Sequence, residues 1–492
     1  MQPIPAQPIP VQPMETLAGG RWVGAGEWLE VLDPADVRTA VARVPALTAE
    51  DVRGVHDAAA EGAAVWRKTS PFTRARILTA AAALLRERSE QVAAAVVAEN
   101  GKTRAEARGE TEKAADFLEY YAGVAREGYG ALLHDARAQT RTGYQREPLG
   151  VVVAITPWND PLLTPARKLA PALAAGNAVV LKPAGETPTS ALHLARALDD
   201  AGLPAGVLSV VTGRTGEISD ALLDDPRVAA VTFTGGNEVG ERLRLRLAAR
   251  SVRFQGEMGG KNASVVLADA DLDAAADAIV AASFGQAGQR CTATSRVLVE
   301  RAVHDRFAGI LRERVAALRL GPGADPGTGV GPLVSERHRD GVLDAVARAV
   351  KQGARVELGG AAPADAALAG GCYVSPTILT GVTPDMDVWR EEVFGPVVVL
   401  RPVEDLDQAI AEVNDSDFGL AAAVFTTGLA AAHRFVDEAD CGQVAVNTTT
   451  SGWDVHLPFG GFRDSGSPFK EQGDEALRFY TRVKTFAIHF GA

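Results

Sequence analysis

Four short aliphatic, β-branched runs, at 151–156, 177–182, 208–213 and 229–235, alternate with longer stretches whose apolar residues recur at helical spacing. Each run is apolar on both faces, as a strand must be when helices cover both sides of its sheet. Connections of this length suit parallel strands joined by helical crossovers, so the chain is expected to be α/β. In such a sheet, ligands bind beyond the carboxyl ends of the strands. Chemistry is therefore expected where these runs end.

A second alternating set covers 263–267, 296–300, 397–401, 420–425 and 443–447, interrupted by a Gly/Pro-rich loop at 321–332, and predicts a second α/β domain. Upstream, 49–128 is rich in Ala, Glu and Arg, with Ile77, Ala81, Leu84 and Leu85 at helical spacing, and predicts covering helices. Residues 1–14 repeat a Gln-Pro-Ile-Pro phrase and read as a flexible arm without the basic stretch and apolar core of a secretory signal. At the other end, 479–490 mixes aromatic and β-branched residues with Arg482 and Lys484, the pattern of an exposed strand that pairs with another subunit; 129–144 is expected to project as a hairpin for the same purpose.

Composition excludes several classes. The 492 residues carry 62 acidic and 50 basic side chains, a formal charge of −12 that repels nucleic acid and anionic lipid. Hydrophobic residues make up 47% and charged residues 23%, ordinary for a folded soluble chain. The strongest apolar run, 274–284, is too short to span a bilayer and contains Asp277. Cys291, Cys372 and Cys441 are too few and too scattered for a disulfide framework or a thiolate metal site, which points to a reducing cytoplasm and no metal.

Several phrases can carry chemistry, each with a plainer reading beside it. Gly101-Lys102-Thr103 resembles the end of a phosphate loop, but helix-like sequence precedes it and Val96 replaces the first glycine, which favours a helix C-cap. The segment 233–240, Phe-Thr-Gly-Gly-Asn-Glu-Val-Gly, follows a strand and opens a helix; it either presents amides to a pyrophosphate or is an unoccupied tight turn. The glycines of Glu257-Met-Gly-Gly-Lys-Asn262 let a loop pass close to another backbone, and its carboxylate is a candidate base. Cys291, next to the cation Arg290, is either a nucleophile or an inert thiol. Asn159, after the first strand, is either an oxyanion donor or part of a cap and turn.

Together these phrases resemble the aldehyde dehydrogenase superfamily from about Gly19 to the C-terminus. Its signatures appear in family order: Thr156-Pro-Trp-Asn159, Lys182-Pro-Ala184, Phe233-Thr-Gly235, Glu257-Met-Gly-Gly-Lys261, Gly288-Gln-Arg-Cys291, Glu391-Glu-Val-Phe-Gly-Pro396 and Pro458-Phe-Gly-Gly461. The resemblance implies a Rossmann-type cofactor domain (15–127 and 149–256), an α/β catalytic domain (257–472) and a β-strand oligomerisation element (128–148 and 473–492) of a homodimer or homotetramer. It implies oxidation of an aldehyde to an acid with NAD or NADP. Cys291 would form a thiohemiacetal, its oxyanion held by the Asn159 amide and the Cys291 N–H, and Glu257 would activate water against the resulting thioester. The cofactor would meet Thr156, Trp158, Lys182, Ala184, Gly185, Glu186, Gly235, Gly236, Val239, Glu392 and Phe394.

Two departures bear on specificity. Gly185 stands where many NAD-preferring relatives carry a glutamate, which opens the site to a 2′-phosphate, although Glu186 follows directly. Gly236 replaces a serine, for which the sequence offers no account. On the helix after Asn159, expected to start at Asp160 and Pro161, the residues Asp160, Thr164 and Arg167 share a face that is apolar in relatives acting on simple aldehydes. Arg167 matches a carboxylate-binding arginine of succinate-semialdehyde dehydrogenases, and with Arg290 it predicts a substrate carrying a distal anion. The plainer reading pairs Arg167 with Asp160 or another acid. The phrases around Glu257 and Cys291, with Glu471-Gln-Gly473 and Phe479-Tyr-Thr481, also look like bacterial α-ketoglutaric semialdehyde dehydrogenases. Alternatives are a dehydrogenase for neutral aldehydes, a CoA-acylating relative, which typically lacks the glutamate base, and a thiol esterase.

Overall fold

The computed structural model describes residues 11–24, 26–128 and 130–491. Most of the expected N-terminal arm, and Tyr129 of the expected hairpin, lie outside them. The arm's last residues are tied down: β1 (Gln12–Pro13) pairs in parallel with Ala42 and Arg43 of β5. Four further strands precede the helices, β2 (Thr16–Ala18), β3 (Arg21–Val23), β4 (Trp28–Asp33) and β5 (Asp36–Pro45). The sequence reading missed them because most are short and half exposed, and because the β4–β5 turn at Pro34 and Ala35 breaks any long pattern.

The helix-rich region forms α1 (Ala49–Lys68), α2 (Pro71–Glu87), α3 (Ser89–Asn100) and α4 (Arg104–Val124). Gly101 ends α3 in the left-handed region at φ 85°, and Thr103 caps α4 with Glu106 in a reciprocal box. Gly101-Lys102-Thr103 is thus a helix end followed by a helix start. Next comes the hairpin β6 (Gly130–Leu133) and β7 (Thr140–Pro148).

β8 (Val151–Ile155), β9 (Ala178–Lys182), β10 (Leu208–Val210), β11 (Val228–Thr234) and β12 (Arg253–Glu257) form one parallel sheet in the order β10-β9-β8-β11-β12. The expected double covering holds residue by residue. Val152, Ala154, Val179 and Leu181 pack with α2–α4, α5 (Leu163–Ala175) and α6 (Thr189–Asp200). Val151, Val153 and Val180 face the other way, against α1, α7 (Thr215–Leu223) and α8 (Asn237–Ala248). Strand order reverses between β8 and β11, so the crevice at their carboxyl ends is the topological switch point.

The second sheet has the order β15-β16-β17-β14-β13-β19-β20. Its strands are β13 (Ala263–Val266), β14 (Arg296–Glu300), β15 (Arg355–Leu358), β16 (Thr377–Thr380), β17 (Val397–Val403), β19 (Ala421–Phe425) and β20 (Gln443–Val446), while β18 (Phe418–Gly419) pairs only with β21 (Phe462–Arg463). All its pairings are parallel except that of the edge strand β15. Sequence reading overlooked β15, which is mostly exposed, and the short β16.

The C-terminal stretch corrects the bounds of one expected element. Phe479 and Tyr480 finish a short helix (Glu475–Tyr480), and the strand is β22 (Thr481–His489), which pairs antiparallel with β7 of its own chain. The resulting sheet, β22-β7-β6, leaves one edge of β22 unpaired and exposes Leu132, Leu133, Val483 and Ile488.

Candidate active site

The turns after β8 and β11, the end of β12 and the loop before β14 meet in a cavity of about 640 Å³. Trp158, Asn159, Asp160, Thr164, Arg167, Gly235, Gly236, Glu257, Arg290, Cys291, Glu392 and Phe394 all line it, so residues spread over nearly half of the chain converge. Thr156, Lys182, Ala184, Gly185, Glu186 and Val239 lie outside its lining.

The loop carrying Cys291 is held by backbone contacts. Asn262 Nδ2 donates to the Cys291 carbonyl at 2.7 Å and to Ala293 O at 2.9 Å. A Cβ on Gly260 would stand 2.8 Å from the Cys291 carbonyl oxygen, so this glycine permits the close passage expected of the 257–262 loop. Asn159 Nδ2 donates one N–H to Gln289 O at 3.0 Å, which orients the amide and leaves its second N–H for another acceptor.

Burial pushes the Cys291 thiol up to about 12, and among charges the strongest pull back towards the thiolate comes from Arg167. The charge of the adjacent Arg290 also bears on Asp160. Glu257 is also held well above the usual carboxylate range, by burial and then by repulsion from Glu471. Its Oε1 accepts from Gln255 Nε2 at 2.9 Å, and Oε2 has no hydrogen-bond partner among the described residues. From Gln255 a buried chain runs through Thr232 Oγ1 to Lys168 Nζ, and Lys168 bonds Glu471. A buried carboxylate with raised proton affinity that shares a cavity with a thiol binds a proton more tightly than an exposed one, as a general base must.

Asp160, Thr164 and Arg167 share the cavity as expected, but α5 starts at Leu163 rather than Asp160. The Asp160 carboxylate is bound by Lys102 Nζ at 2.7 Å and Gln286 Nε2 at 3.1 Å, so it serves the protein rather than pointing freely into the cavity. Arg167 does not pair with Asp160 but, as the plainer reading allowed, with another acid: its Nη1 lies 3.5 Å from Glu471 Oε2, while its guanidinium lies 4.7 Å from the Phe459 ring centroid and 5.7 Å from that of Phe117. Sequence reasoning missed Phe117, Trp453 and Gln286 in this wall, which lie outside the signature phrases, and gave no role to Phe459 although it stands in Pro458-Phe-Gly-Gly461.

A sequence profile of the aldehyde dehydrogenase family matches residues 22–486. The chain belongs to the aldehyde dehydrogenase family. It is 41% identical to an alpha-ketoglutarate semialdehyde dehydrogenase of Haloferax volcanii over 96% of this chain and 98% of that protein. An alpha-ketoglutaric semialdehyde dehydrogenase of Bacillus subtilis is 39% identical over 95% of this chain and 96% of its own length. Among solved structures, betaine aldehyde dehydrogenase from Staphylococcus aureus in complex with NAD+ superposes with a TM-score of 0.94 at 31% identity, covering 97% of this chain and 94% of that one. An NADP-dependent enzyme of E. coli superposes with a TM-score of 0.93 at 36% identity, covering 97% and 98%.

This aldehyde dehydrogenase is accordingly an NAD(P)-dependent oxidoreductase, and its crevice suits a dinucleotide. The N-terminus of α8 follows β11 at the switch point with no side-chain cap, and a Cβ on Gly236 would meet nothing within 4 Å, so the first amides of α8 face open space. Thr156 Oγ1 and Thr234 Oγ1 are buried without partners among the described residues. Trp158, His338 and Phe394 form an edge-to-face aromatic group, with centroids 5.0 to 6.1 Å apart, along the crevice wall. No helix among the described residues is long and apolar enough to cross a membrane.

Proposed function

We propose that this dehydrogenase oxidises an aldehyde carrying a distal anionic group, a semialdehyde, with Cys291 as nucleophile. The observation that carries the reading is Arg167: a guanidinium flanked by two aromatic rings, facing the cavity that also holds Cys291, Asn159 and Glu257. A planar fork of donors there suits a carboxylate at the far end of a short aldehyde, with Arg290 as a second cation. The semialdehyde dehydrogenases among the relatives support the same class.

In this reading the Cys291 sulfur adds to the aldehyde carbon, and the Asn159 amide with the Cys291 N–H takes the oxyanion of the thiohemiacetal. NAD or NADP, when bound, accepts the hydride that leaves that carbon. Glu257 then removes a proton from the water that attacks the thioester, releasing the acid and restoring the thiol. The first amides of α8 with Gly235, Gly236 and Val239 would hold the pyrophosphate end of the crevice. Thr156, Trp158, Lys182, Ala184, Gly185 and Glu186 would hold the adenosine end, and Glu392 and Phe394 the nicotinamide ribose. Exposed apolar residues on β6 and β22 support a homodimer or homotetramer, and three unpaired thiols fit a cytoplasmic enzyme.

The test is a panel of neutral, carboxylated, sulfonated and phosphonated aldehydes, each assayed with both cofactors. Carboxylated aldehydes should give the highest kcat/KM. Equal efficiency on neutral aldehydes of the same length would reject the anionic substrate.

A further inference from the structure

Helix α5 carries Arg167 and Lys168, and the turn before it carries Asn159, yet α5 has no cap of its own: Leu162 occupies the N-cap position and no side chain of that turn bonds the first amides. The cap comes from elsewhere. Glu110 of α4 reaches across so that Oε1 accepts the N–H groups of Leu162 at 2.9 Å and Leu163 at 3.0 Å. The other oxygen of Glu110 is held by Lys102 Nζ at 2.5 Å, and the same ammonium binds Asp160 Oδ1 at 2.7 Å. Both Lys102 and Glu110 are fully enclosed.

The segment around Lys102 grips the neighbouring turns as well. Asn100 Nδ2 donates to Trp158 O at 2.8 Å, and Glu106 Oε1 accepts the Gln286 N–H at 2.6 Å. Residues 158, 160, 162 and 163, on both sides of Asn159, are therefore pegged to the stretch 100–110, and so is the start of the loop that leads to Cys291. Among the described residues Lys102 is the cation that bonds both carboxylates, Glu110 and Asp160, which would otherwise repel each other, while Arg290 and Arg167 also act on Asp160.

We infer that Lys102 is a positioning residue for the oxyanion site: by binding Glu110 and Asp160 together it fixes the turn that aims the Asn159 amide at the oxygen of the Cys291 adduct. This rests on the reading of Asn159 as the oxyanion donor. Lys102 does not line the cavity. Its effect should appear only in steps that build negative charge on a carbonyl oxygen.

Two cofactor-free reactions of the full chain separate the cases. In p-nitrophenyl acetate acylation, the Cys291 sulfur bonds to the carbonyl carbon, an oxyanion forms, and p-nitrophenolate leaves. In alkylation by iodoacetamide, sulfur displaces iodide and no oxyanion forms. Asn159→Ala should slow acylation about a hundredfold, and Lys102→Met about tenfold, with alkylation within about twofold in both. The double variant Lys102→Met/Asn159→Ala should be no slower than Asn159→Ala, since Lys102 acts through Asn159. Lys102→Met/Glu110→Gln, which removes cation and anion together and keeps an acceptor for α5, should recover most of the loss.

If Lys102→Met does not fold, Asp160→Asn carries the same comparison, again with no added loss on top of Asn159→Ala. Additive losses, equal slowing of acylation and alkylation, or no recovery in the charge-balanced variant would overturn the role of Lys102. An Asn159→Ala variant that acylates at the normal rate would overturn the oxyanion reading itself.

Discussion

Arg167 Nη1 lies 3.5 Å from Glu471 Oε2, yet the two share no hydrogen bond: Glu471 gives its other oxygen to Lys168, and Arg167 Nε has no partner among the described residues. The guanidinium therefore keeps donors for a ligand. Arg167→Ala should lower kcat/KM for a carboxylated aldehyde about a hundredfold and for a neutral one of equal length less than about threefold, consistent with loss of a charge-assisted bidentate contact. Steady-state kinetics on the matched pair checks this.

Glu257→Gln keeps the shape of the side chain and removes the proposed base. Acylation of Cys291 should still occur, so rapid mixing should show a burst of reduced cofactor, while steady turnover falls about a thousandfold. Loss of the burst along with turnover would place Glu257 before the thioester instead.

Glu392 is raised to about 7 by burial, against the Gly260 amide and Lys261, which pull it down. The native state thus holds a proton that the unfolded carboxyl releases near pH 4.3, so this contribution to stability is full below about pH 4 and is lost as pH rises through about 7. Lys261 beside it, lowered to about 7 by burial, works in the opposite direction, so only a variant isolates Glu392. Glu392→Gln should raise the melting temperature at pH 8 relative to the unsubstituted enzyme and change it little at pH 5. It should also weaken cofactor binding.

At the end of β9, a side chain on Gly185 would meet nothing within 4 Å, and the exposed Glu186 carboxylate acts on Lys182. Both NAD and NADP should therefore be used, and Glu186→Ala should shift the ratio of efficiencies towards NADP by about tenfold, through loss of one repulsive charge. A thousandfold preference for NAD in the unsubstituted enzyme would rule out dual use.

Val483 and Ile488 are exposed on the outer strand of the β22-β7-β6 sheet. Val483→Asp/Ile488→Asp should lower the assembled mass measured by light scattering, because charge is unfavourable in a buried apolar contact. An unchanged mass would remove this sheet from the interface.

Much of this enzyme was legible in the sequence because the relevant signals are local. Strand runs such as 151–156 and 296–300 lie within a residue of the observed elements, since uninterrupted β-branched stretches leave few alternatives. The phrases proposed to be catalytic were also readable as phrases that meet in one cavity, because each keeps its loop shape within a few adjacent residues. The start of α5 was misplaced for the converse reason. Asp160 and Pro161 look like a helix start, but the Asp160 carboxylate is drawn to Lys102 and the cap is supplied by Glu110.

What the chain order determined alone is the parallel α/β framework, together with the thiol, amide and carboxylate proposed to react. Only the tertiary structure decided which charges act on them. Arg167, remote in the chain, gives the strongest pull towards the Cys291 thiolate, and Glu471, 303 residues beyond Lys168, raises the proton affinity of Glu257. Electrostatic influence depends on distance through space and on exclusion of water, and neither can be read from separation along the chain.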